Sequence, residues 1–274
     1  MKASIVCAPF PMTFDVTENL HQMMELLNQC EAHDVVVFPE ASLSGYSDDI
    51  TFLAGIDQQQ VQGGLQTLQA IARDRNLHVF VGACREDEQG WRNQAYYLAP
   101  TGDREVYNKA NLATHERGHL IPGDRLPIFD LQLPEGTLRV AVQLCRELRF
   151  PDQWRALSEA GADLFVYMTH LIVDELHRPV WRSHLISRAA ENQRWIAAVN
   201  VAHPVPGCPS MLIDPSGRVI DETLPERACR MRAEIDTNAV SQLVSESTTH
   251  RFDAMGQGGA MTGTKDVTRW PGSW

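Results

Sequence analysis

The sequence predicts an α/β domain in which helices cover a sheet that mixes parallel and antiparallel strands. Three observations predict it. Short continuous apolar runs, such as Val35-Val36-Val37-Phe38, alternate with segments of helical periodicity. Short strand-like segments flank strong turn clusters such as Pro100-Thr101-Gly102-Asp103, which is the pattern of antiparallel hairpins. The 274 residues show neither an interdomain linker nor an internal repeat, so one domain spanning 1–274 is expected.

The elements follow in order. Lys2 to Ala8 reads as a first strand; its single positive charge and the breaks at Pro9 and Pro11 argue against a signal peptide. Thr17 to Ala32 places Leu20, Met23, Met24, Leu26 and Leu27 at near-helical spacing. Val35 to Phe38, stopped by Pro39, reads as a strand buried on both faces. Val61 to Arg75 is helical, with Leu65, Leu68 and Ile71 on one face, and His78 to Cys84 is a strand. Gln94 to Leu98 and Glu105 to Tyr107 form a hairpin, and Asn111 to Asp124 is a loop ending in Pro122-Gly123-Asp124. Leu138 to Leu144 is a strand running into Cys145. Pro151 to Gly161 is a helix with Pro in its first turn and Gly at its end. Leu164 to Met168 is a strand, Val180 to Gln193 a helix, and Trp195 to Val201 a strand. Ser210 to Ile213 and Arg218 to Asp221 form a hairpin around Pro215-Ser216-Gly217. Arg230 to Ile235 is a last strand and Asn238 to Ser245 a short helix. A tail rich in Gly, Thr and Asp, from about residue 250, reads as irregular.

Composition narrows the function classes. Hydrophobic residues are 43% and charged residues 22%, a globular balance that excludes wholesale disorder. With 24 basic and 35 acidic residues the net charge is −11, a poor match for a polyanion. No apolar run reaches the ~20 residues that span a bilayer. Nucleic acid and membrane are therefore not expected partners, and a small molecule is. Six scattered cysteines without a Cys-x-x-Cys pair suit free thiols in a reducing cytoplasm.

Three segments put reactive groups just after buried strands. Glu40 follows Val35 to Pro39, at the strand end where α/β sheets bind ligands; it reads equally as a surface glutamate after a strand-stopping proline. Cys145 leaves a strand with Arg146 beside it, and a nearby cation favours thiolate, although most strand-end cysteines are small buried hydrophobes. Lys109 closes Tyr107-Asn108-Lys109, followed by Glu116 in the long loop; the ordinary fate of such a lysine is solvation.

Together these segments resemble the nitrilase superfamily of carbon–nitrogen hydrolases, over residue 1 to about residue 236. Phe-Pro-Glu-x-x-x-x-Gly-Tyr stands at Phe38 to Tyr46, Tyr-x-Lys-x-x-Leu at Tyr107 to Leu112, and Glu-x-x-x-Leu-x-Pro-Gly-Asp at Glu116 to Asp124. Cys-x-Glu-x-Arg-Phe-Pro-Asp stands at Cys145 to Asp152, followed by Arg188-Ala189-Ala190-Glu191-Asn192-Gln193 and Asp214-Pro215-Ser216-Gly217. The resemblance implies a four-layer α-β-β-α sandwich and a thiol-dependent amidohydrolase without metal or cofactor. It implies Cys145 as nucleophile, Glu40 as general base and acid, and Lys109 with the Arg146 backbone N–H as oxyanion holders. Glu116 is then the carboxylate that orients Lys109. It also implies a homodimer or higher even oligomer, joined through the helices near 151–161 and 180–193 and the tail. Asn111, Arg146 and Met168-Thr169-His170 depart from common family residues and bear on the substrate. Arg146, Thr169, His170 and Arg149 are the expected substrate-binding residues, the arginines for a carboxylate distal to the scissile amide. The alternative for Arg149 is a bridge to Glu147 or Asp152. An N-carbamoyl compound or nitrile as substrate, and a non-hydrolytic binding module, stand as alternatives.

Two motifs point elsewhere. His115-Glu116-Arg117-Gly118-His119 spells the zinc signature H-E-x-x-H, which works only on a helix; Gly118 and Pro122 argue against one. Gly256-Gln257-Gly258-Gly259 has no preceding strand and no clear following helix, so it is not a dinucleotide loop.

Overall fold

The computed structural model describes residues 1–172 and 177–239. The first half of the chain runs β1 (Lys2–Cys7), α1 (Val16–Leu27), β2 (Val35–Val37), α2 (Gln58–Asp74), β3 (His78–Asp87), β4 (Gly90–Leu98) and β5 (Arg104–Asn108). The second half runs β6 (Ile128–Leu133), β7 (Gly136–Leu144), α3 (Pro151–Glu159), β8 (Leu164–Thr169), α4 (Arg178–Asn192), β9 (Trp195–Asn200), β10 (Ser210–Ile213), β11 (Val219–Thr223) and β12 (Met231–Asp236).

The strands form two six-stranded sheets, ordered β12-β1-β2-β3-β4-β5 and β11-β10-β9-β8-β7-β6. Each has three parallel strands in the middle, β1-β2-β3 and β7-β8-β9, with antiparallel strands outside them. The residue pattern alone suggested one mixed sheet. There are two, because periodicity marks a strand without saying which strand it pairs with.

Side-chain alternation makes the layers. In β1, Ala3, Ile5 and Cys7 enter the core between the sheets, while Val6 turns toward the helices. In β2, Val35 and Val37 face the other sheet and Val36 faces α1 and α2. The second sheet does the same: Val140, Val142 and Leu144 pack between the sheets, and Ala141 and Phe165 pack under α3 and α4. The result is the four-layer α-β-β-α sandwich. Both faces of each sheet are covered, so the central strands read as unbroken apolar runs.

Some boundaries moved. The first helix ends at Leu27 rather than Ala32; the chain then turns, with Asp34 accepting the Glu31 N–H at 2.8 Å. α2 begins at Gln58 because Asp57 caps it, accepting from Gln59 N and Gln60 N. β6 was not expected, although Phe129 and Leu131 alternate with Asp130 and Gln132 and pair with β7. The helix expected from Asn238 lies, beyond residue 239, outside the described residues, as do the tail from about 250 and the Gly256 motif.

Candidate active site

Four groups converge at the strand ends. Glu40 stands three residues past β2, in a chain that doubles back sharply: Ala41 has φ of 49°. Gly82 of β3 allows that bend, since a Cβ there would sit 2.2 Å from the Ala41 nitrogen. Lys109 follows β5 directly. Its N–H donates to Asn93 O at 2.9 Å and its carbonyl accepts from Gly123 N at 2.9 Å, which ties both ends of the long loop to one residue. Glu116 sits in the turns of that loop. Cys145 follows β7 at φ of 42°, opening a short 3-10 turn over Cys145–Arg149. Arg188 of α4 holds that turn by donating to Leu148 O at 3.1 Å while pairing with Glu191 at 2.6 Å.

Lys109, Glu40 and Glu116 have no solvent exposure, and Cys145 is 9% exposed. Lys109 Nζ donates to Glu40 Oε1 at 2.8 Å and lies 3.1 and 3.0 Å from the two oxygens of Glu116. The Asn93 amide donates to both carboxylates, at 2.9 Å to Glu40 and 2.8 Å to Glu116. Glu116 also accepts from Tyr46 OH at 2.8 Å and from Ala113 N at 2.6 Å. The other oxygen of Glu40 accepts from His170 N at 3.1 Å. Taking an ion out of water costs on the order of several kcal/mol, so three such groups persist only by pairing.

The pairing is unequal. Burial raises the Glu40 carboxyl above the usual range; Lys109 pulls it back, and the Glu116 charge pushes it up again. Burial also works against Glu116 ionising, but Lys109, Asn93 and the Ala113 N–H outweigh it and hold the group below its usual range. Burial likewise opposes the Lys109 charge, and the two carboxylates overcome it, so the ammonium is held far more firmly than an ordinary lysine. Burial, with Glu40, pushes the Cys145 thiol up to about 12 against the pull of Lys109. The surroundings of Cys145 therefore favour the thiol over the thiolate. Two carboxylates whose environments drive them apart are chemically able to divide into an acid–base residue and a fixed charge.

The expected substrate residues are divided. Thr169 is fully buried; its hydroxyl lies beside the Cys145 thiol and favours its ionised form, without a hydrogen bond of good geometry. The His170 ring packs on Tyr46 at 5.5 Å, and burial holds it neutral, its pKa lowered to about 4. Arg146 is half-buried, and its Nε has no hydrogen-bond partner among the described residues. Arg149 lies over the Trp181 ring of α4, 5.2 Å from its centroid, and neither of the bridges expected for it is made among the described residues: Glu147 is buried with other partners. Residues 115–119 form turns, not a helix; His115 bonds Tyr46 OH at 2.8 Å and His119 is exposed.

Residue reasoning did not single out Asn93 and Tyr46, which bond the carboxylate cluster, or Glu147, which bonds the backbone on either side of it. Tyr46 and Glu147 lay inside the quoted motifs, which was a signal for them. Asn93 sits in a β-strand with no local mark.

The carbon–nitrogen hydrolase family model matches residues 2–243. An (R)-stereoselective amidase from a Pseudomonas species is 32% identical over 214 residues, 76% of each chain. A 2-oxoglutaramate amidase of Bacillus subtilis is 27% identical, covering 86% of this chain and 92% of its own. Among solved structures, an amidase from Nesterenkonia sp. superposes with TM-score 0.73 at 21% identity, over 89% of this chain and 95% of that one. Nit3 of Saccharomyces cerevisiae, a nitrilase-superfamily member, does so with TM-score 0.72 at 19% identity, over 92% and 97%. Sequence motifs, fold and these likenesses agree: the chain belongs to the carbon–nitrogen hydrolase family, within the nitrilase superfamily.

Proposed function

We propose that this protein hydrolyses a small amide through a Cys145 thioester, releasing ammonia. Glu40 takes the thiol proton as Cys145 Sγ attacks the carbonyl carbon. The oxyanion is held by Lys109 Nζ and the Arg146 N–H. Glu40 then passes its proton to the leaving nitrogen, the C–N bond breaks, and ammonia departs. Water attacks the thioester, giving a proton to Glu40. The C–S bond breaks, the sulfur recovers that proton, and the carboxylic acid leaves. Glu116 stays ionised throughout and keeps Lys109 charged. The observation that supports this most is the fully buried cluster in which Glu40 and Glu116 share Lys109 at 2.8 and 3.1 Å next to the buried Cys145.

The test is ammonia release from a panel of small amides, N-carbamoyl compounds and nitriles. Amides should turn over, Cys145→Ala should abolish it with the fold intact, and Cys7→Ala and Cys208→Ala should not. Full activity in Cys145→Ala would sink the mechanism.

The substrate reading concerns Arg146, whose Nε has no hydrogen-bond partner among the described residues, which favours an acid-bearing amide; Arg149, over Trp181, is the weaker candidate. A neutral analogue should then lose roughly 1.5–3 kcal/mol of kcat/KM, the scale of a charge-assisted hydrogen bond. Arg146→Ala should erase that difference, and equal kcat/KM for the two compounds rejects the anion. Thr169 and His170 are the proposed remaining walls of the pocket. One catalytic domain, an even oligomer and a reducing, cytoplasmic setting complete the proposal. All six cysteines are unpaired, which supports the last of these.

A further inference from the structure

We propose that Glu147 is a positioning residue that locks the nucleophile turn and the lysine loop into one unit. The inference rests on Cys145 as nucleophile and Lys109 as oxyanion holder. Glu147 is fully buried two residues past Cys145, and among the described residues its carboxylate bonds neither the Cys145 thiol nor the Lys109 ammonium. Its Oε2 accepts from Leu144 N at 2.7 Å, the residue just before the nucleophile. Its Oε1 accepts from Ala110 N at 2.8 Å and Asn111 N at 3.0 Å, the two residues just after Lys109. The same oxygen accepts from Tyr107 OH at 2.6 Å, two residues before Lys109. One side chain thus grips the sheet carrying Cys145 with one oxygen and the sheet carrying Lys109 with the other.

The site needs a carboxylate for this task. All four partners are donors, so the bridging group must accept on both oxygens and donate on neither. An amide at this position must turn its NH2 toward one set of N–H groups. That opens either the turn of Cys145 or the loop of Lys109. Its own backbone leaves no slack to absorb the change: the Glu147 carbonyl accepts from Trp154 Nε1 at 3.0 Å and Phe150 N at 3.1 Å. A displacement of about 1 Å between reacting groups costs on the order of 10²-fold in rate.

The experiment compares the full chain with Glu147→Gln. Two readouts are taken: kcat and KM on an amide that the wild type hydrolyses, and the alkylation rate of Cys145 by iodoacetamide, divided by that of the half-buried Cys229, by mass spectrometry. Circular dichroism and Tm report the fold. The expected result is a native fold, KM within about threefold, and kcat and the alkylation ratio both down by about tenfold or more. A lowered Tm with kcat and the ratio unchanged makes Glu147 merely structural and overturns the proposal, as does a raised ratio. If Glu147→Gln does not fold, Tyr107→Phe removes one donor and keeps the carboxylate. Its ratio should fall severalfold, and an unchanged ratio overturns the proposal. If no amide turns over, the function proposed above fails, while the alkylation ratio still decides the role of Glu147.

Discussion

Glu40 and Glu116 share a lysine, yet they differ in what surrounds them. Glu116 has a tyrosine hydroxyl, an amide and a backbone N–H in addition to Lys109, whereas Glu40 has fewer donors and feels the charge of Glu116. The consequence for pH is signed. A base must be ionised to act, so kcat/KM should fall as pH drops through the Glu40 pKa, at a pH above the ordinary glutamate range. Glu116→Gln removes the repelling charge and leaves Lys109 to Glu40 alone, so this acid limb should move to lower pH. Turnover should also drop by about 10²-fold, the scale of a lost acid–base or electrostatic partner. The pH–rate profiles of the two proteins check both statements, and an acid limb that stays put refutes the coupling. His119→Ala should leave both profiles alone, because the side chain is exposed to solvent. Activity that needs stoichiometric zinc and is lost to a chelator would instead restore the H-E-x-x-H reading.

At the scale of elements, the site depends on how close backbones can come. The turn carrying Glu40 lies against β3 at Gly82, where Leu43 N also reaches Gly82 O at 2.9 Å. A methyl group at 2.2 Å from a backbone nitrogen has no rotamer escape. Gly82→Ala should therefore destabilise the protein by about 3 kcal/mol, at the upper end of ordinary overpacking, and reduce turnover by displacing Glu40. Gly63, inside α2, has open space around its position. Gly63→Ala should stabilise by about 0.5–1 kcal/mol, because alanine loses less backbone entropy in a helix. Urea unfolding of the two variants measures the contrast directly, and a neutral Gly82→Ala contradicts the close approach.

At the scale of the whole molecule, the two sheets bring together groups distant in sequence. Cys145, the proposed nucleophile, comes from one sheet, and Glu40 and Lys109 come from the other. The helices α3 and α4 close the outer face of the second sheet, and Arg188 links α4 back to the nucleophile turn. The proposed even oligomer uses the outer faces of these helices. Light scattering at micromolar concentration should give a dimer or a higher even assembly; a monomer contradicts it.

Much of this was legible in the residues. The buried runs at 35–38 and 140–144 marked strands because a strand covered on both faces must be apolar throughout. Pro and Gly marked the turns because only certain residues accept those dihedrals. Glu40, Lys109, Glu116 and Cys145 were legible through their motifs, which keep reactive groups at strand ends. The two-sheet arrangement was not legible in the residue pattern, since the same periodicity serves any pairing. Nor was the bond from Asn93 to both carboxylates, or the reach of Glu147 to a loop 37 residues before it. Those are contacts between distant backbones, and local propensity carries no information about them. The sequence by itself determined which residues could form strands, turns and reactive ends. Only the tertiary structure decided that Glu40 is held above the usual carboxyl range and Glu116 below it, because that depends on burial and on donors arriving from other strands.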